Sequence, residues 1–183
     1  MKLKLLLLVL ALQTAWVVGT VFQQERALHE GKLILLETRP VDPRDLLRGD
    51  YVILGYKISD VPLTVFTPVI TNSPPVGQRI FVALEPRGEF YEVVQASTEK
   101  LPTTANQVLL RGKSQNWWNR NSTAEKIVRV EYGLERYYVR EGTGNPQGKL
   151  TAQVAVPVSG QGVIKQLFVD GKPYAEVMKH DAR

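Results

Sequence analysis

The residues able to do chemistry are few, and their types narrow the field quickly. There is no cysteine, which removes thiolate catalysis, disulfides, zinc ribbons and iron–sulfur clusters. Only two histidines occur, His29 and His180, so a three-histidine metal site is excluded and a serine–histidine relay has little to draw on. The densest polar cluster is Asp42, Arg44, Asp45, Arg48 and Asp50, in the run PVDPRDLLRGDY. Paired carboxylates can catalyse hydrolysis when their pKa values are driven apart. Here the arginines between them should keep them ionised, so the cluster reads as a partner-binding recess or a self-paired turn. A second candidate is Trp117-Trp118 in a polar stretch, a pair able to stack on a sugar ring or meet an interface. No Walker loop, dinucleotide fingerprint, H-E-x-x-H or EF-hand pattern is present, and neither a cofactor nor a metal is expected.

Charge points away from nucleic acid. Lys2 and Lys4 supply two of the net +5, leaving +3 across the 161 residues after Phe22. The charges of Arg129–Glu141 alternate in sign, as on a solvated or salt-bridged face.

These groups must be positioned by the elements around them. Leu5–Phe22 holds no charge, and eighteen helical residues reach roughly 27 Å, close to the ~30 Å hydrocarbon core. The preceding lysines favour an amino terminus in the cytoplasm. An uncleaved anchor is the favoured reading; a cleaved signal with a marginal site at Val17-Val18-Gly19 is its rival, and a buried core helix the third. The first two export the remainder, and we place the chain as a single-pass protein of the bacterial cytoplasmic membrane, its domain in the periplasm or outside. The boundary falls between an anchor, 1–28, and an exported domain, 29–183.

The exported part reads as mainly β: a small antiparallel sandwich or barrel-like domain of about eight short strands. Strands are expected at Lys32–Arg39, Tyr51–Ile58, Arg79–Leu84, Glu89–Ser97, Gln107–Gly112, Lys126–Tyr132, Leu150–Val158 and Val163–Val169. Asp42-Pro43 starts a short helical turn that Gly49 stops. Asp60–Val76, broken by four prolines, is a loop with at most an edge strand. Glu85-Pro86-Arg87-Gly88 and Asp170-Gly171 are expected hairpin turns, and Leu134–Glu141 is open between helix and strand.

Gly49-Asp50-Tyr51-Val52-Ile53-Leu54-Gly55-Tyr56 resembles the G-D-Y-x-x-L-x-Y signature of the bacterial GDYxxLxY-domain proteins. VDPRDLLR before it, YGLERYYVREGTG at Tyr132–Gly144 and LFVDGKPY at Leu167–Tyr174 extend the resemblance over roughly Gly31–Tyr174. It implies an N-terminal membrane segment and a multi-span membrane protein as partner. It carries no assigned catalytic or binding residue. The residues themselves give the motif a mechanical reading: Gly49 and Asp50 turn the chain, Tyr51 opens a strand, and Leu54 and Tyr56 share its buried face.

The order of anchor, strand, turn and G-D-x-V is also loosely similar to bacterial type I signal peptidases. Val41 and Val128 then stand at the serine and lysine positions, and an aliphatic side chain supplies neither nucleophile nor base. The expected function is therefore a non-enzymatic accessory or interaction subunit. The alternatives are a saccharide-binding module of the cell envelope and a carboxylate-dependent hydrolase. The candidate binding residues are Arg44, Asp45, Arg48, Asp50, Tyr51, Tyr56, Trp117 and Trp118.

Overall fold

The structure, a computed structural model, describes residues 2–39, 51–115, 127–139 and 148–181. Helix α1 runs from Lys2 to Glu30 without interruption. Its apolar portion is exposed throughout and has a mean hydropathy of 2.2, long and apolar enough to cross a membrane. Thr14 returns its hydroxyl to the Leu10 carbonyl at 2.9 Å, so this polar side chain is satisfied within the helix.

Gly31 ends the helix, donating its N–H to the Ala27 carbonyl at 3.0 Å. A Cβ at Gly31 would lie 2.4 Å from that oxygen and 3.0 Å from the Val156 nitrogen, so only glycine lets the helix end this close to the sheet. Strand β1, Lys32–Arg39, begins at the next residue, and Ala27 is buried against the domain. Helix and sheet therefore join with no linker.

The chain continues through β2 (Tyr51–Ile53), β3 (Gly55–Tyr56), a 3₁₀ turn at Lys57–Ser59, β4 (Asp60–Pro62), a second 3₁₀ turn at Leu63–Val65, β5 (Arg79–Arg87) and β6 (Phe90–Ser97). Then come β7 (Val108–Gln115), β8 (Ile127–Glu131), β9 (Arg136–Tyr138), β10 (Leu150–Val156), β11 (Val163–Val169), β12 (Lys172–Pro173) and α2 (Tyr174–Asp181). One antiparallel sheet has the order β12-β11-β10-β1-β3, the other β4-β8-β7-β5-β6, and β2 and β9 form a separate ribbon. The inward residues of both sheets make one core: Ile34, Leu36, Val154 and Leu167 from the first, Ile80, Val82, Leu84, Leu110 and Val130 from the second. The alternation in β1 places Ile34, Leu36 and Thr38 inward, as period-two patterning requires. The protein is thus mainly β with an N-terminal apolar helix.

Several boundaries differ from the sequence expectation for identifiable reasons. Tyr51–Ile58 is not one strand. Tyr51–Ile53 pairs with β9 and Gly55–Tyr56 with β1, and between them the Leu54 N–H donates to the Glu135 carbonyl at 2.8 Å. The segment changes partners while keeping Leu54, Tyr56 and Ile58 buried. The first hairpin turns at Gly88-Glu89, where Gly88 supplies φ +68°, so Glu85–Arg87 belongs to β5. Pro86 is tolerated because the pairing of β5 with β7 ends at Leu84, leaving no ladder bond for its missing N–H. Pro62 sits similarly, in edge strand β4. Leu134–Glu141 yields strand β9, and the described residues hold twelve strands because several have only two or three residues. Helix α2 was not expected; its buried pair Tyr174 and Met178 is one helical repeat, too short to stand out as periodicity.

Candidate functional site

Of the residues singled out from sequence, Arg44, Asp45, Arg48, Asp50, Trp117 and Trp118 lie outside the described residues, as do Gly49 and Val41. Tyr51 is placed by its backbone, opposite Tyr138. Tyr56 is fully buried and offers no surface to a ligand. Val128 faces the core. His29 stands in solvent near Glu25.

The buried end of the motif forms a reciprocal clasp. The Tyr56 hydroxyl donates to the Leu134 carbonyl at 2.8 Å, and the Tyr132 hydroxyl donates to the Ile58 carbonyl at 2.7 Å. Each tyrosine reaches from its own segment to the backbone of the other. Burial pushes both hydroxyls far above the usual phenol range, so they stay protonated donors at any physiological pH. Glu135 completes the turn between Tyr132 and Arg136, with one carboxylate oxygen accepting the Tyr132 N–H at 2.7 Å. Its other oxygen is buried and has no partner, and burial raises its pKa above the usual carboxylate range. The sequence pattern had placed Glu135 on a solvated, charge-alternating face; the tight turn at Gly133 folds it back onto its own backbone instead.

Two carboxylates, one on edge strand β4 and one on β1, are each held by two cations. Asp60 takes Arg129 at 2.6 Å and is also bridged by Arg39. Glu37 takes Lys149 at 2.9 Å and is bridged by Lys57. Lys57, with Lys149 second, holds the Glu37 carboxyl below its usual range. These charges are satisfied by the fold itself.

A third group of charges is not. On the outward face of the second sheet, register sets Arg79 directly opposite Lys113, and Arg111 lies two residues before Lys113 on the same strand. Like charges directly opposite each other on a sheet are unfavourable. Among the described residues none of the three makes an ion pair. They surround a recess of about 360 Å³, open to solvent. Gly112, between Arg111 and Lys113 on β7, faces the core instead: a Cβ there would come within 2.4 Å of the buried Val130 side chain and 3.0 Å of the Tyr132 ring. Glycine there makes room for these core side chains in and after the neighbouring strand β8. One wall is Gln161, whose side-chain oxygen accepts from Arg111 at 2.9 Å, while the Arg111 backbone N–H donates to the Gly160 carbonyl at 2.8 Å. The single acid on the rim, Glu131, stands directly opposite Lys113 on the other side from Arg79 and also accepts from the Gln115 side-chain amide.

Gln161 also lines a larger groove of about 690 Å³ between α1 and the β10–β11 loop. Thr20, Gln23 and Ala27 form the helix side; Pro157, Val158 and Ser159 form the other, with Val158 91% exposed. Recess and groove are thus neighbours, joined at one side chain.

A family model described as GDYXXLXY protein matches residues 13–167. The chain belongs to the GDYXXLXY family. No curated protein and no solved structure matches it. For this GDYXXLXY chain the named motif can be followed from Tyr51 to Tyr56, and there it is a structural clasp. The recess was missed from sequence because Arg79, Arg111 and Gln161 come from three distant segments; an odd excess of outward cations on neighbouring strands was the one signal available.

Proposed function

We propose that this GDYXXLXY protein is a non-enzymatic subunit held outside the cytoplasm of a bacterial cell by its uncleaved N-terminal helix, where it docks onto a multi-span membrane protein. The observation that carries the reading is the linker-free passage from α1 into β1, with Ala27 buried and Gly31 wedged against Val156. A tether that only concentrated the domain at the membrane would work with a flexible connection. A fixed pose is useful when the domain must meet a surface that is itself fixed in the membrane, because it removes the rotational freedom that docking otherwise costs. Lys2 and Lys4 before the span keep the amino terminus inside and put the domain on the other side.

The test is crosslinking in intact cells from a photoreactive residue at Gln24, on the groove. Capture of one protein with several membrane spans, lost when two glycines are inserted after Gly31, supports the reading. Capture of soluble proteins only, or a capture indifferent to the insertion, contradicts it.

A further inference from the structure

We infer that the recess walled by Arg79, Arg111 and Lys113 binds the phosphate of an anionic lipid headgroup in the leaflet from which α1 emerges. The inference rests on the anchored reading above and adds a ligand to it.

Three observations converge. The first is charge. Three cations and one acid, Glu131 opposite Lys113, face a single recess, and none of the cations makes an ion pair among the described residues. Elsewhere on the same domain paired cations close on a carboxylate, as Arg39 and Arg129 do on Asp60. A fold that places Arg79 across from Lys113 accepts a repulsion that Glu131, one charge against three, offsets only in part and that an anion would relieve further.

The second is geometry. Arginine binds phosphate with a planar fork of donors, and Arg111 is held in place through Gln161 rather than neutralised.

The third is position. With Leu5–Phe22 filling the hydrocarbon core, Thr20 and Gln23 stand at its outer boundary. Those two residues line the groove that Gln161 shares with the recess. The β10–β11 loop beside them, with its exposed Val158, therefore lies at headgroup level, and the recess opens just beyond it. Cations at that height are attracted to anionic headgroups, and each is worth about a factor of five in binding.

The experiment uses the full chain in nanodiscs of equal phosphatidylglycerol and phosphatidylcholine. After extraction in mild detergent, the lipid that stays bound is quantified by mass spectrometry. Phosphatidylglycerol should be enriched, and the double variant Arg79→Gln/Lys113→Gln should lose about fivefold of the enrichment for each cation removed. Both positions face solvent, so the variant should fold. Glu131→Gln should raise the enrichment, an effect opposite in sign that loss of folding cannot mimic. A parallel arm adds millimolar inorganic phosphate to protein in phosphatidylcholine discs and follows the Lys113 region by NMR. Saturable phosphate binding there, with no enrichment of phosphatidylglycerol, would assign the recess to a soluble anion and overturn the lipid inference. Chain present in discs without enrichment, or with enrichment unchanged in the double variant, would overturn it as well while leaving the anchor intact. Failure of the chain to remain in discs would overturn the anchored reading and this inference together.

Discussion

The tyrosine clasp and the cationic recess share strand β8 and its exit turn, yet they spend their polar groups in opposite ways. In the clasp both hydroxyls are buried and matched to a specific backbone carbonyl. In the recess, within reach of the same Tyr132, three cations make no ion pair among the described residues. A polar group whose partner is supplied by the fold contributes to stability; one whose partner is left out is available to something else. The family's naming motif falls, where it is described, on the first side of this divide. The candidate for function falls on the second.

Breaking the clasp should have the largest effect. Tyr56→Ala removes a fully buried ring and orphans the Leu134 carbonyl, and should cost about 3–5 kcal/mol in denaturant unfolding. Tyr56→Phe keeps the ring and loses only the donor, so the cost should fall to about 1–3 kcal/mol. A Tyr56→Phe protein as stable as the parent would show that the clasp is packing alone.

Glu135 sharpens the comparison through pH. Its folded pKa lies above the unfolded one, because burial disfavours the charge. Its favourable contribution is present when protonated, below the unfolded value, and is lost as pH rises through the raised folded value. Glu37 has the opposite sign: its stabilisation is lost as pH falls through its depressed folded pKa. Glu135→Gln should therefore flatten the stability profile just above the ordinary carboxylate range and leave the acid limb unchanged. An unaltered profile would mean that Glu135 is not held in that buried position.

The smallest stability effect should come from the recess. Arg79→Gln and Lys113→Gln should change unfolding free energy by at most about 0.5 kcal/mol, with the double variant neutral or slightly more stable as the cross-strand repulsion is removed. A loss comparable to that of Tyr56→Phe would place these cations among the structural groups.

How far the sequence could be read follows from the range of the forces involved. The N-terminal apolar helix, strand β1 and the Asp170-Gly171 turn were legible because each is decided by a short local pattern: an uncharged run, alternation from Ile34 to Thr38, and two residues able to take positive φ, here 49° and 79°. Leu54 and Tyr56 were placed on the buried face by the same alternation. The change of partner at Leu54 was not legible, since it depends on the Glu135 carbonyl eighty-one positions away. Nor was the recess, which exists only once β5, β7 and the β10–β11 loop are side by side.

The account as a whole turns on the height of that loop above the membrane. Because the chain has no cysteine, Val158→Cys gives a single site for a nitroxide label. In nanodiscs, collision with a lipid-soluble and a water-soluble relaxing agent reports its depth. An uncleaved α1 that enters the domain without a linker predicts a label at the headgroup level, in a chain whose intact mass still includes Met1–Gly19. A label as exposed to the aqueous agent as free nitroxide, or a chain beginning near Thr20, would contradict it.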